Sequence, residues 1–522
     1  MTHDAVVIGA GVNALVAAWR LAAAGRRTHV LERRERVGGT LVTEEIAPGF
    51  RVDAARHDVG WIPAPLARAL AARSPGPVLV RPDPAIVVPL ADGEALSLSP
   101  DPATSAAAIR RHSPRDAERW PAFARLRTRL SGFIESLYSA PPPRVPGEGF
   151  GDLVGLARLA VRARRLGAAD MIELLRTVPM PVADLLDDWF EHDALKGAVG
   201  AAGIKGILQG PRSGGTAFVL LHHGVGGGAV VVRGGVGTLS DALAALAKEA
   251  GAEIRIGVAV KEITIRGGRA TGVVTSGGEE IAARVVVSGA DPRATLLGLV
   301  HPIHLDPEVA RAARHIRFRG AVAKVNLALD RLPAFRGVPD GGLAGAITIA
   351  PTLDYLERAY DDAKHGRRSE RPFLEVRIPS VVDPGLAPAG KHVASIWVQY
   401  VPYSGEREAG SGERGADVGD ITMRLLEDYA PGIGRLVLHR QVLTPADLEA
   451  RFGLTEGSLY HGELGLDQIL FMRPLGGWAR YRTPIAGLYL CGAGSHPGGG
   501  TIGASGWLAA RAVLRDGERV TA

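Results

Sequence analysis

The first 32 residues restrict the fold of this chain more than any other stretch. "DAVVIGAG" is an apolar run that ends in glycines. "NALVAAWRLAAAG" is Ala- and Leu-rich, with a glycine to stop it, and "THVLE" is a second apolar run closed by an acid. Strand, turn, helix and strand in so short a span make a parallel βαβ unit, because parallel strands need a crossover. The turn carries G-x-G-x-x-A at Gly9, Gly11 and Ala14. The first glycine permits a tight turn, the second lets the backbone approach a pyrophosphate, and a small third residue allows close helix–strand packing. The helix start, with Asn13 in its first turn, presents free N–H groups and a positive dipole end to phosphates. Glu32 follows Gly11 by 21 residues, where an acid accepts hydrogen bonds from ribose hydroxyls. A tight turn without a ligand would not require that acid, so a dinucleotide is expected here.

The next residues narrow the choice of dinucleotide. In "RRERVGGT", Arg33 is placed to lie over the adenine or the phosphates. Gly38 and Gly39 let the backbone pass the cofactor a second time, and Thr40 offers a hydroxyl or N–H to the pyrophosphate. NAD sites do not require a second glycine pair, whereas flavin sites of the glutathione-reductase type typically have one. FAD is therefore the expected cofactor.

Composition excludes several classes. The chain has 522 residues, 46% of them hydrophobic, enough for two large domains or three smaller ones. A net charge of +6 spread over 61 basic and 55 acidic residues gives no reason to expect a nucleic-acid partner. The single cysteine, Cys491, rules out an internal disulfide, a CxxC redox pair and a cysteine-based metal site; no metal is expected, and Cys491 reads as core. Only Thr2, His3 and Asp4 separate Met1 from the first apolar run, so no targeting segment is expected. No uncharged stretch of about 20 apolar residues suggests a membrane span. The expected location is cytoplasmic, with peripheral membrane contact left open. The stretch bearing on it is "GDLVGLARLAVRARRLGAAD", with Leu156, Leu159, Ala163 and Leu166 on one helical face and Arg158, Arg162 and Arg165 on the other. A helix packed on its own domain is the favoured reading of that pattern.

Along the chain, prolines break residues 63–102 around strand-like runs such as "AIVVPL", and "SAPPPRVPGEG" reads as a loop. Residues 151–200 read as mainly helical. Strands, a helix and a β-meander follow to "VVVSGAD", and a β-rich stretch runs from about Val322 to Val401. "DDAKHGRRSERP" and "SGEREAGSGERGADVG" read as solvated polar loops. The expected fold is α/β: a Rossmann-like FAD-binding domain of the glutathione-reductase type with a second α+β substrate domain on a mixed or antiparallel sheet. The FAD domain is assigned residues 1–95, 225–300 and 460–522, and the substrate domain residues 96–224 and 301–459.

With Gly9, Gly11, Ala14, Glu32 and "RVGGT" in place, the sequence resembles the phytoene-desaturase-like FAD oxidoreductases, and within them the branch of pyridine nucleotide-disulfide oxidoreductase domain-containing protein 2. Three blocks carry the resemblance over nearly the whole chain: "LQGPRSGGTAFVLLHH", "VVRGGVGTLSDALAALAKEAGAEI" and "MRPLGGWARYRTPIAGLYLCGAGSHPGGGTIGASGWLAA". The resemblance implies that the backbone of Val260 holds the adenine, in a strand next to that of Glu32. It implies that the strand ending at Ala290 and Asp291 returns near the pyrophosphate, and that Arg473 and Tyr481 lie near the cofactor or serve structure. It also brings "FRVDAARHDVGWI" against the flavin face, making Arg56 and His57 candidates for the substrate side.

"LYLCGAGSHPGGGTIGASGW" is a strand, a glycine-rich turn and a helix. Gly492 and Gly494 are expected beside the ribityl–pyrophosphate chain, with Gly498–Gly500 against the ring. A helix starting near Thr501, with Ile502 and Gly503 as N–H donors, would face the flavin edge that gains charge on reduction. His496 is the polar side chain best placed to reach the ring, as proton shuttle or donor, or else to cap the turn. Lys324, alternating into the strand of "GAVAKVNLAL", either lines the substrate cavity or is exposed.

The implied activity is dehydrogenation (desaturation) of an apolar, polyene or lipid-like substrate by hydride transfer to flavin N5, with oxygen, a quinone or a protein as the electron acceptor. The alternatives are a redox-neutral polyene isomerase, an amine oxidase, and a non-catalytic flavoprotein scaffold.

Overall fold

The structure, a computed structural model, describes residues 2–143, 150–404 and 412–521. Two seven-stranded sheets organise it. The first runs Val260–Arg266, Arg269–Thr275, Glu280–Ser288, His3–Ile8, Thr28–Leu31, Glu253–Arg255, with Leu488–Leu490 also paired to Glu280–Ser288. The strands around His3–Ile8 are parallel, and the meander from Val260 is antiparallel. Helices Val12–Ala23, Gly237–Glu249 and Ala504–Thr521 close over the parallel part. Their small and apolar residues, among them Ala14, Leu15, Ala18, Leu239, Leu243 and Ala509, pack there as one core. This is the Rossmann-like layer that the opening residues predict.

The second sheet runs Val437–Leu443, Val322–Leu329, His392–Gln399, Phe373–Arg377, Ala346–Ile349, Ile86–Pro89, Ala95–Leu98. It is antiparallel except where Ala346–Ile349 meets Ile86–Pro89, and so is mixed, as expected. Both Ile86–Pro89 and Ala95–Leu98 belong to it, so the chain leaves the first layer before residue 86 rather than at 95.

The alternation of side chains in this sheet positions the site. Ala323, Val325, Leu327, Leu374, Val376, Ala394, Ile396 and Val398 all face one apolar core, which includes Val418, Leu425 and Leu426 of helix Gly412–Tyr429. The residues between them point to the opposite face, as a period of two requires. That face carries Lys324, Asn326, Glu375, Arg377, Ser395, Trp397 and Gln399, and every one is buried. Strand register aligns them in rows. Lys324 and Glu375 both lie opposite Trp397, and Asn326 and Arg377 both lie opposite Ser395.

Two loop expectations change. Residues 361–364 of "DDAKHGRRSERP" finish helix Leu353–Lys364, and the second half of "SGEREAGSGERGADVG" opens helix Gly412–Tyr429. Residues 144–149 and 405–411 lie outside the described residues. Helix Phe150–Leu166 packs on helix Pro114–Tyr138: Arg162 donates to the Ser136 carbonyl (2.7 Å), and Leu166 packs against the core that holds Leu130 and Ile134. Among the described residues, no helix is long and apolar enough to cross a membrane.

Candidate functional site

The nucleotide end is built from two glycine turns and two helix starts. Gly9 adopts φ +84, and its N–H donates to Leu31 (2.7 Å). A Cβ placed on Gly9 or Gly11 would meet nothing within 4 Å, so the space over the turn is open to a ligand. Helix Val12–Ala23 starts at Gly11 with no side-chain cap and no acid in its first turn, which leaves its amides to a phosphate. Gly38 donates to the Ala10 carbonyl (2.8 Å) and bridges to Gly11, so the second glycine pair does come back onto the first turn. Half-buried Thr40 follows it. The carboxylate of Glu32 is held beneath the turn by the N–H groups of Ala10 (2.6 Å) and Arg34 (2.9 Å). Ala14 packs against Gly289, where a larger residue would not fit: a Cβ on Gly289 would come within 2.8 Å of the Ala14 methyl.

Two expectations here are corrected. Arg33 is exposed and reaches the Ala450 carbonyl (3.5 Å); it is Arg34 that turns back to the glycine pair, donating to Gly39 (2.9 Å). Val260 opens a strand that pairs with Arg269–Thr275, whereas the strand flanking that of Glu32 is Glu253–Arg255. Its continuation brings the Val258 N–H to the Glu32 carbonyl (2.8 Å).

At the other turn, Gly492 lies against the Gly289 and Ala290 carbonyls, and Gly494 against Pro292. The glycines at 498–500 are needed by the protein itself. A Cβ on Gly499 would overlap Tyr460 (2.5 Å), and one on Gly500 would crowd His222 (2.9 Å). The last helix begins at Ala504, after Gly503 in the left-handed region (φ +71), not near Thr501. The Ile502 N–H is already donated to the Trp61 carbonyl (2.8 Å), so it is not a free donor for the flavin edge. The starts of the two helices meet where Gly506 approaches Asn13, with the Gly506 N–H 3.4 Å from Asn13 Oδ1.

The predicted catalytic candidates separate. His496 is fully buried; its Nε2 faces the Ala140 carbonyl (3.1 Å), and burial lowers its pKa to about 4. Arg473 spends its guanidinium on the carbonyls of Tyr460, Gly462, Glu463, Gln468 and Ala493, a structural use. The Tyr481 hydroxyl donates to the His496 carbonyl (3.1 Å). Cys491 is core, its thiol pushed up to about 12 by burial.

Arg56, His57 and Lys324 converge. Lys324 Nζ lies 2.6 Å from His57 Nδ1, and His57 Nε2 lies 3.0 Å from Glu375 Oε1. A neutral imidazole protonated on Nε2 satisfies both contacts, donating to the carboxylate and accepting from the amine. Burial, then the Lys324 charge, lowers the His57 pKa to about 3; burial lowers Lys324 to about 7. Burial would raise the Glu375 and Asp58 carboxyls, but neighbouring cations, Lys205 first, hold both below the usual range. Lys205 Nζ bonds Asp58 (3.1 Å) and both oxygens of Glu375 (2.8 and 3.0 Å). Arg377 stands 3.5 Å from Asp58, and Arg56 3.6 Å from it. The carboxylates are therefore neutralised from within the protein.

Asp58, Lys205, Glu375 and Arg377 escape a sequence reading because they come from separate segments. The available signal is a charge at the inward beat of an apolar strand, as in "FLEVR". The segment after His57 links this centre to the last glycine turn. Gly60 touches Gly500 so closely that a Cβ would sit 2.0 Å from its carbonyl oxygen, and Trp61 accepts from Ile502.

Comparison with known proteins agrees with this architecture. Residues 15–370 match the flavin-containing amine oxidoreductase family. The chain is 37% identical over 544 residues to pyridine nucleotide-disulfide oxidoreductase domain-containing protein 2 of Rattus norvegicus, covering 98% of this chain and 94% of that protein. It is 29% identical to a limonene dehydrogenase subunit of Castellaniella defragrans, with 98% and 94% covered. A putrescine oxidase triple mutant of solved structure shares the fold, with a TM-score of 0.62 and 15% identity over 99% of both chains. The family contributes a flavin, and the open turn at Gly9 and Gly11 with Glu32 beneath it requires a dinucleotide, so the cofactor is FAD.

Proposed function

The chain belongs to the flavin-containing amine oxidoreductase family, and from that premise we propose that it dehydrogenates a largely apolar donor, with Lys324 as the proton acceptor. FAD, when bound, supplies the two-electron acceptor. The observation that carries the reading is the Lys324 amine, fully buried, with a pKa brought down to about 7. A base poised near the working pH transfers protons most effectively. His57 orients the amine through Nδ1, and Glu375 fixes the imidazole from the other side.

The commitment of Asp58 and Glu375 to Lys205, Arg377 and His57 favours a hydrocarbon donor over an amine. Neither carboxylate is free to hold a substrate ammonium. The relative named as a limonene dehydrogenase subunit supports the same class.

The test is anaerobic mixing of the FAD-loaded protein with limonene-type alkenes and, separately, with primary amines, following the visible flavin absorption. Bleaching by the alkene, with a product two hydrogens lighter, is the expected result. Bleaching by amines alone would overturn the hydrocarbon reading. An alkene product of unchanged mass would replace dehydrogenation by isomerisation. Re-oxidation by oxygen, a soluble quinone or a carrier protein then identifies the acceptor.

A further inference from the structure

A cavity of about 670 Å³ opens between helix Phe150–Leu166, the segment around Pro141–Pro143 and the outer side of helix Ala504–Thr521. That size suits a small-molecule ligand. Among the described residues six arginines line it, Arg158, Arg162, Arg480, Arg482, Arg511 and Arg515, with one carboxylate, Asp152. Asp152 is taken by Arg480 (2.7 Å), and Arg482 is held from behind by Asp516. Arg158 and Arg511 have no hydrogen-bond or ion-pair partner among the described residues. A concave wall with so large an excess of one charge concentrates the opposite charge within it.

The remaining wall is apolar, from Leu137, Leu159, Leu470, Phe471 and Leu508. His496 also lines the cavity, with its Nε2 turned to the Ala140 carbonyl (3.1 Å).

We propose that this cavity is a second ligand site, which takes the anionic head and adjoining chain of one amphiphile, a phosphate monoester or carboxylate on an alkyl tail. Arginine forks match the geometry of such heads, and the leucines and Phe471 cover the first part of the tail. The proposal does not depend on the identity of the oxidised substrate.

The test is calorimetric titration of the FAD-loaded protein with monomeric dodecyl phosphate. Dodecanol (the tail alone), inorganic phosphate (the head alone) and phosphatidylglycerol vesicles are titrated in parallel. Dodecyl phosphate is expected to bind more tightly than either half, and to weaken as salt is added. The double variant Arg158→Gln/Arg511→Gln, whose sites are exposed, should keep its flavin spectrum and lose at least about tenfold in affinity, as for charge-assisted hydrogen bonds. Equal binding of dodecanol or of inorganic phosphate, or an unchanged affinity in the double variant, would overturn the proposal. Binding to the vesicles with none to the monomeric ligand would also overturn it, in favour of a membrane-facing surface.

Discussion

Replacing Lys324 by methionine tests the buried centre through a proton rather than through turnover alone. The amine has a pKa of about 7 in the fold, against an ordinary 10.5. At about 1.4 kcal/mol per pH unit, keeping it charged inside the protein costs on the order of 5 kcal/mol. Between those two values the unfolded chain holds a proton that the native protein lacks. Stability therefore rises with pH from about 7, by up to roughly 1.4 kcal/mol per unit. The opposing contribution comes from Cys491, whose thiol is pushed from 9.0 to about 12 and which favours unfolding only above about pH 9. The depressed histidines add to the slope only while the unfolded imidazole, at 6.5, still holds a proton, so Lys324 dominates the window from about pH 7.5 to 8.5, with an expected gain of roughly 1 kcal/mol across it. Urea unfolding of the FAD-saturated protein at several pH values measures the slope directly. In Lys324→Met the slope should fall to the small remainder left by the histidines in that window, and anaerobic flavin reduction by the donor should slow by about 10²–10⁴, the range for losing a general base. A variant that retains the wild-type slope would show that the amine does not titrate there, and the assignment of Lys324 as a neutral base would fall with it.

Three further outcomes follow from the same geometry. Glu375→Gln leaves Lys205 and Arg377 to share Asp58 as their buried counter-charge, and should cost about 3 kcal/mol, the low end for breaking a buried pair, read as a fall in Tm. Gly506→Ala places a methyl 1.8 Å from the Asn13 carbonyl oxygen, with only backbone available to move; it should part the two helix starts and lower FAD retention on gel filtration, while Gly132→Ala, in helix Pro114–Tyr138 where a Cβ meets nothing within 4 Å, should retain FAD. On the acid side, His57, His222, His223 and His496 have pKa values of about 3 to 4 against an ordinary 6.5, while Asp53 is raised to about 6. At pH 5 the four imidazoles bind protons only on unfolding, and Asp53 binds its proton only in the fold. These five groups should together give a net uptake of about three protons on unfolding, measurable as stability lost when the pH falls below 6.5.

What could be read in the sequence depends on whether a structural demand is local or assembled. The turn at Gly9 is local, since the left-handed backbone there, the open approach at Gly11 and the acid closing the next strand all fall within 32 residues. The two helix starts that meet at Asn13 and Gly506 are 493 residues apart, yet each could still be identified because each follows its own strand and glycine turn. Arg33 and Arg34 show the limit of such local reading: adjacent in the chain, they point to opposite places, and only the packing of Arg34 over Phe452 selects it. The buried charge centre is wholly assembled. His57, Lys205, Lys324 and Glu375 come from four segments, and the register that sets both Lys324 and Glu375 opposite Trp397 exists only once the sheet has formed. The sequence does contain one physical clue to it. A lysine in "VAKVNLAL" and a glutamate with an arginine in "FLEVR" occupy the alternate positions of strands whose other side chains are apolar. On a sheet with one wet face those residues would be exposed. Here the opposite face is covered as well, so the charges must neutralise one another inside the protein, and the amine left with only an imidazole to meet it is the one whose pKa falls to about 7.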